Sequence, residues 1–396
     1  MSHRWLVAAA LFTVVFSASS PIAAFGVFLP ALADTFGWSR GAISVALSIT
    51  LLLGGLGGFV VGAVADRHGP RGILLLTVAI AGGGFALAST TAALWHLYLF
   101  VGVMGGLGTS GFYVIAASTV TRWFERERGL ALALVLAGFN VSFVTGGPVA
   151  AWLIERLGWR PAYLVFGGWL CLVGGLAGLV VRDPPRRPPA PGQAPAAEAR
   201  GATLRDALAD RRLWLLSLCW SLFGGVFLMV SVHVVPYARD RGVALGSASL
   251  ALTAYGLGAT VGRLVFGALS DRLGGRAIMP VCVALQVGAL AALAWGPSQH
   301  ALLLLLAVFG LGFTGADTVF VRAIPDVFGL RALGAITGVL TIGWRSGAAL
   351  GPAVAGFAHD ATGSYTLPFG LAPVALAVSY ALFRLGSAPR GGSHEA

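Results

Sequence analysis

Long runs of apolar residues, separated by short polar connections, extend over almost the whole chain. A bilayer core about 30 Å thick is crossed by a helix of about 20 apolar residues. Judged by that length, the hydropathy pattern predicts twelve membrane-crossing helices. The first run is too long for the core of a signal peptide, so it is counted as a retained helix. The predicted segments are Trp5–Ala33, Ala42–Ala65, Ile73–Thr91, His96–Thr121, Leu130–Leu153, Pro161–Val181, Leu213–Ala238, Ser247–Leu269, Ala277–Trp295, Ala301–Ile324, Ala332–Phe357 and Leu367–Phe383.

One polar break, residues 182–212, interrupts the apolar pattern at mid-chain. Six prolines lie between Pro184 and Pro195, a composition typical of a solvated, semi-rigid linker. The stretch that begins at Thr203 predicts a short helix at the membrane interface. The predicted organisation is a first six-helix bundle at residues 1–181, a cytoplasmic linker at 182–212 and a second six-helix bundle at 213–396.

Composition agrees with a membrane protein and excludes other classes. Apolar residues make up 57% of the chain and charged residues only 10%, whereas about 25% of the residues in soluble domains are charged. The three cysteines, Cys171, Cys219 and Cys282, lie in apolar stretches without paired spacing. This pattern predicts neither a disulfide framework nor a zinc site, and no cofactor motif accompanies it.

All 26 basic residues are arginine, and their distribution predicts the orientation. With the N-terminus inside, cytoplasmic loops and inner helix ends hold 19 of them, and outer loops hold five. The positive-inside rule then predicts a multi-pass protein of the inner membrane with both termini in the cytoplasm. Because the arginines are spread over separate regions rather than one surface, nucleic acid is not a predicted partner.

The two halves of the chain repeat each other at an offset close to 205. Residues 62–69 (GAVADRHG) match residues 267–274 (GALSDRLG), and Gly147-Pro148 matches Gly351-Pro352. Such a repeat, with both members in the same orientation, predicts two bundles related by an axis along the membrane normal. Substrate sites in folds of this kind lie near the membrane midplane, between the halves.

The stretch Gly62–Arg71, between the second and third segments, resembles the signature loop of the major facilitator superfamily. The copy at Gly267–Arg276 is similar, with its last arginine one place later. The resemblance covers essentially the whole chain and implies an all-α membrane protein of twelve helices that moves substrate by transport. It also implies that the two loops lock the cytoplasmic side, with gating roles for Asp66, Arg67, Arg71, Asp271 and Arg272.

Three further stretches resemble the bacterial monocarboxylate and oxalate:formate branch of that superfamily, namely His233–Gly242, Thr121–Ala131 and Gly158–Ala162. This resemblance implies that an arginine in the eighth segment and a cation in the eleventh meet the substrate carboxylate. Arg263 and Arg345 lie where these residues are expected. The chain departs from the animal members, since it has no lysine and the aspartate expected one turn before the arginine of segment eight is absent.

Three charged residues lie deep in apolar segments, where an uncompensated charge is costly. Arg263 and Arg345 are predicted to bind substrate, because a guanidinium holds a carboxylate with two parallel hydrogen bonds. The alternative for each is a structural ion pair or a side chain that reaches toward the interface. Asp317 either pairs with one of these arginines or carries a proton during transport.

Four polar residues complete the predicted substrate site. His233 either binds substrate, carries a proton or is satisfied by a backbone carbonyl. Tyr113, Asn140 and Tyr255 either donate hydrogen bonds into the cavity or link neighbouring helices.

Together these features predict a secondary active transporter of a small, monocarboxylate-like organic anion that works by alternating access. The predicted partners are the anion, the lipid bilayer and either a proton or a counter-anion, and the protein is expected to be monomeric. The first alternative is an exporter of lipophilic compounds. A more distant alternative, an intramembrane serine protease, rests on the sequence Gly108-Thr-Ser110-Gly111.

Overall fold

The structure, a computed structural model, describes residues 3–124, 127–182, 201–296 and 298–388. In these ranges the chain is almost entirely helical and contains one isolated bridge, between Gly201 and Gly329. The long helices are α1 His3–Phe36, α2 Arg40–His68, α3 Pro70–Leu87, α4 Leu94–Trp123, α5 Arg128–Leu157, α6 Trp159–Val180, α7 Arg211–Arg239, α8 Leu245–Leu273, α9 Gly275–Ala294, α10 Gln299–Phe328, α11 Leu333–Thr362 and α12 Thr366–Gly386.

The twelve predicted segments coincide with these twelve helices, which confirms the predicted all-α membrane fold. Within the described residues, eleven helices are long and apolar enough to cross a membrane. The exception is α11, which has the length but carries Arg345 and several glycines in its central turns. Arg345, which is predicted to bind substrate, is therefore one of the residues that lower the hydropathy of this helix.

Several helices deviate from regular α geometry inside the membrane. In α1, two α-helical stretches meet at Ala24, three residues after Pro21, whose ring nitrogen has no hydrogen to donate. A π-helical stretch at Tyr98–Met104 widens α4, and another at Leu170–Gly174 widens α6. Wider turns of this kind free backbone carbonyls and bend the helix.

The two signature loops share one backbone feature. Gly69 ends α2 with φ of 86°, and Gly274 ends α8 with φ of 80°. Positive φ strains any residue with a Cβ, so glycine is required at both ends. The repeat seen in the sequence is therefore a repeat of backbone conformation as well.

Small residues allow close packing between the helices that carry the charged residues. α8 packs on α10, and α7 packs on α11. A Cβ added at Gly258 would clash with the carbonyl of Ala307, and one at Gly347 would clash with the carbonyl of Ser221. Across the halves, the main contacts are α2 with α11, α5 with α8, and α1 with α7.

The end of the linker is fixed to the second half. A short helix, Leu204–Ala209, follows Thr203 as predicted and has a capping box formed with Asp206. Hydrogen bonds from Thr203 hold the pKa of the Asp206 carboxyl below its usual value. Residues 183–200 of the predicted linker lie outside the described residues, and the division at 181 and 213 stays a prediction.

Candidate functional site

Two helices bring the first pair of predicted charges together. Arg263 of α8 lies opposite Asp317 of α10, with 3.5 Å between Nη2 and Oδ2. Their side chains are 43% and 23% exposed, so neither is sealed inside the helix packing. Of the two partners considered for Asp317, Arg263 forms the ion pair. The close approach of α8 and α10 at Gly258 sets this separation.

Arg345 of α11 lies against the glycine-rich face of α2. A Cβ added at Gly55 would be 2.7 Å from Arg345 Cδ, and one at Gly54 would be 3.1 Å from Nη1. The hydroxyl of Tyr113, on α4, is within electrostatic range of Arg345 and of the pair formed by Arg263 and Asp317. Tyr113 is 57% exposed. We call these four predicted site residues the central group, in which Arg263 pairs with Asp317 and Tyr113 is in electrostatic range of both that pair and Arg345.

Tyr255 and Asn140 lie deeper in the packing than this group. Tyr255 is 3% exposed and contacts an aromatic cluster that includes Phe143, Phe227 and Phe313. Asn140 is buried on α5, where its backbone approaches Gly256 of α8. Both residues lie at the contact between α5 and α8, which fits a role in linking helices; contact with substrate stays a prediction.

His233 is fully buried, and both of its ring nitrogens have partners. Nε2 donates to the carbonyl of Pro352 at 2.7 Å, so Nδ1 accepts from the hydroxyl of Tyr365 at 2.9 Å. Burial raises the pKa of the Tyr365 hydroxyl, which keeps this donor protonated. Of the alternatives for His233, a hydrogen bond to a backbone carbonyl is therefore observed. Binding of substrate or transfer of a proton by His233 stays a prediction.

The predicted gating residues lie at the end of the molecule that holds the termini. Asp271 pairs with Arg322 of α10, while Arg67 and Arg272 are exposed. Arg71 is partly buried in the first turn of α3. The side chain of Asp66 lies outside what the structure describes, so its gating role is not tested.

A second charged cluster, at the side opposite the termini, was not predicted. Arg40, at the start of α2, donates to both oxygens of Asp240 at 2.6 Å and to the Tyr365 hydroxyl at 3.1 Å. Asp240 follows α7, so this ion pair joins the two halves of the chain. In the sequence Arg40 is distinguished only as one of the few outer arginines, which is a weak signal for such a contact.

The polar contacts between the halves in the described chain are found from mid-membrane to the side opposite the termini. Ser48 of α2 donates to the carbonyl of Ala349 in α11, at 2.5 Å. Thr253 of α8 donates to the carbonyl of Val144 in α5, at 2.8 Å. With the Arg40 cluster, these contacts join the halves at that side, whereas Arg263 and Tyr113 are left partly exposed.

Twelve long helices that carry charged residues within their membrane segments define the architecture of a polytopic membrane transporter. The sequence profile of the Major Facilitator Superfamily matches residues 11–245 and 229–395. The chain therefore belongs to this superfamily and is a transporter. The protease alternative is excluded with it, and the Ser110 hydroxyl is occupied in a hydrogen bond to the Leu107 carbonyl at 2.6 Å.

Curated relatives and solved structures agree with this assignment. Monocarboxylate transporter 11 of Homo sapiens is 29% identical over 381 residues, which is 92% of this chain and 79% of that protein. Monocarboxylate transporter 13 of Bos taurus is 25% identical over 371 residues, covering 93% and 85%. A bacterial homologue of the human lysosomal transporter Spinster has the same fold, with a TM-score of 0.75 at 18% identity, covering 98% and 94%.

Proposed function

We propose that this protein is a secondary active transporter of a small organic anion of the monocarboxylate type, working by alternating access. The observation that carries the proposal is the central group, in which Arg263 pairs with Asp317 and Tyr113 is in electrostatic range of that pair and of Arg345. The names of the relatives, monocarboxylate transporters 11 and 13, support a carboxylate as substrate.

The charge of the central group fits an anion. Two arginines and an ionised Asp317 leave a formal charge of +1, which one monocarboxylate neutralises. Protonation of Asp317 leaves +2, which suits a dicarboxylate or a proton moving together with the anion. Because a guanidinium stays charged at any physiological pH, the attraction for an anion persists throughout the cycle.

The distribution of contacts between the halves supports alternating access. The contacts join the halves at the side opposite the termini, and we infer that substrate reaches the central group from the side of the termini. Transport requires a second state in which the contacts of Arg40, Ser48 and Thr253 are broken. We place the two six-helix bundles at residues 1–181 and 213–396, with residues 182–212 as the connection between them.

The direct test is uptake by the purified protein in proteoliposomes. A panel of labelled monocarboxylates and dicarboxylates would be offered with and without a pH gradient and with and without an internal counter-anion. We expect saturable uptake of at least one carboxylate, and the gradient requirement identifies symport or exchange. Uptake equal to that of protein-free liposomes for the whole panel would contradict the proposal.

A lipophilic-compound exporter is the second candidate, favoured by one observation. The ion pair between Arg263 and Asp317 neutralises one arginine within the protein, as a transporter of uncharged compounds requires. The two functions can be distinguished by which unlabelled compounds inhibit transport. An anion transporter is inhibited by unlabelled carboxylates and not by hydrophobic cations or neutral dyes, while the exporter shows the opposite pattern.

Asp317→Asn is expected to remove the pH dependence of uptake while preserving exchange of one anion for another. The carboxyl group is the titratable partner of Arg263, and an amide cannot gain or lose its proton. The measurement is the ratio of uptake with and without a pH gradient in proteoliposomes. The matched control is Asp326→Asn, since Asp326 is on the same helix but exposed near its end. An unchanged ratio in the Asp317 variant would exclude this carboxyl as proton carrier.

Epitope tags at either terminus are expected to be cytoplasmic. This orientation places most arginines in cytoplasmic loops and at inner helix ends. The expected environment is the inner membrane. In spheroplasts, both tags should resist external protease until the cells are lysed, whereas a tag in the loop that contains Gly296 should be cleaved from outside. Cleavage of a terminal tag in intact spheroplasts would reverse the assigned orientation.

A further inference from the structure

The N-terminus of α8 receives a carboxylate from the other half of the chain. The first amides of any helix lack partners within the helix, and the N-cap residue usually supplies one. The N-cap residue of α8 is Ala244, whose side chain has no acceptor. The amide of Gly246 instead donates to Glu155 Oε1 at 2.9 Å, and Glu155 lies near the end of α5.

The N-terminus of α2 also receives a carboxylate from the other half, although its N-cap residue, Ser39, accepts from the amide of Ala42. The amide of Arg40 donates to Asp360 Oδ1 at 3.0 Å, and the amide of Gly41 donates to Oδ2 at 2.8 Å. Asp360 lies near the end of α11, again in the other half of the chain, and its side chain is 22% exposed. One carboxylate therefore satisfies two amides of the first helical turn.

The two contacts are related by the internal repeat. Glu155 and Asp360 are 205 residues apart, and so are Gly41 and Gly246. In each contact the carboxylate ends one helix and meets the start of a helix from the opposite half. Both lie at the side opposite the termini. The duplicated fold thus places two equivalent carboxylate-to-amide contacts at the boundary between its halves.

We propose that Glu155 and Asp360 are paired latches that hold the central cavity closed at the side opposite the termini. The proposal rests on the alternating access described under the proposed function. The partial positive charge at a helix N-terminus attracts each carboxylate, and opening that side separates the two. Both contacts are at the protein surface, where water replaces either partner at small cost, so they bias the equilibrium without preventing opening.

The latch contacts are separate from the binding chemistry. Glu155 and Asp360 lie at helix ends, whereas Arg263 and Asp317 lie within the membrane segments of α8 and α10. Changing the latches should therefore change the distribution between the two open states and not the affinity of either state for substrate. Such residues affect the transport rate by changing how readily the protein passes between its two open states.

The test measures this distribution directly, without substrate. Spin labels at Ala92→Cys and Gln299→Cys, exposed positions near the closed side in the two halves, report its opening by pulsed electron resonance in nanodiscs. The native cysteines are replaced beforehand. We expect Glu155→Gln and Asp360→Asn each to raise the ratio of long to short distances by about 3- to 10-fold. The double variant should show the product, because the two contacts share no residue.

Two further variants separate the latch from general effects of substitution. Asp34→Asn changes an exposed carboxylate at the same side and should leave the distances unchanged. Ala244→Ser gives α8 the kind of N-cap that Ser39 gives α2, where the serine accepts from the third helical amide and Asp360 keeps the first two, so it should likewise leave the distances unchanged.

Distances in the double variant identical to those of the parent would overturn the latch proposal, whatever the transport result. Failure of the carboxylate panel together with shifted distances would contradict the proposed substrate and leave the latches supported.

Discussion

Replacing Arg263 with glutamine is expected to abolish detectable binding of the transported anion. The variant removes one of two cations from the central group and leaves Asp317 facing the incoming carboxylate. Loss of one member of a hydrogen-bonded charge pair costs about 2–5 kcal/mol once the bound anion excludes water from it, so affinity should fall by at least about 30-fold. The measurement is binding of the labelled anion to purified protein, and exchange in proteoliposomes follows the same loss.

Three variants make this result specific. Arg263→Lys keeps the charge but loses the planar fork, so it should recover only part of the affinity. Arg263→Gln with Asp317→Asn removes the unpaired carboxylate and secures folding, and it should still fail to bind. Arg384→Gln, at an exposed position of α12, should bind as the parent does. Parent-like transport by a folded Arg263→Gln protein would contradict the anion proposal and favour the lipophilic exporter.

Gly258→Val is expected to prevent correct packing of α8 on α10. A Cβ at this position would clash with the Ala307 carbonyl, which belongs to the backbone and cannot rotate away. Overpacking of this kind costs about 3 kcal/mol or more, because one helix must move. The expected results are a lower yield of monodisperse protein and a reduced thermal midpoint, with loss of the 3.5 Å pair between Arg263 and Asp317.

The matched control is Gly288→Val, since a Cβ at Gly288 of α9 meets no atom within 4 Å. This variant makes the same chemical change in a membrane helix but should keep the parent's yield and midpoint. Equal behaviour of the two variants would show that the close approach at Gly258 is not required for the fold.

The hydropathy pattern and the repeat were sufficient to predict the twelve helices, because apolar length is the dominant constraint on a membrane segment. They did not predict the π-helical stretches in α4 and α6, which depend on how carbonyls of one helix are accommodated by its neighbours. The sequence left two partners open for Asp317, namely Arg263 and Arg345, and the structure pairs it with Arg263. Which arginine pairs with Asp317 depends on which helices pack together. Helix α8 packs closely on α10 at glycines such as Gly258.

The contacts at the side opposite the termini had almost no sequence signal. Glu155, Asp240 and Asp360 are ordinary carboxylates at helix ends, and their partners lie 91 or more residues away in the chain. Glu155 and Asp360 bind backbone amides, which every residue except proline has, so no residue type in the sequence marks their partners. Only the equal spacing of 205 between the two carboxylates relates them to the repeat.

The two latch contacts are arranged as they would be in a symmetric dimer of six-helix chains. In a symmetric homodimer, residue i of one subunit contacts residue j of its partner, and j contacts i in return. Glu155 with Gly246 and Asp360 with Gly41 obey this isologous rule when the two halves are treated as subunits. A single carboxylate in an unfused six-helix chain would have formed both contacts at once on dimerisation. The ion pair of Arg40 with Asp240 departs from this symmetry, since Leu245 lies where the repeat would place a second arginine.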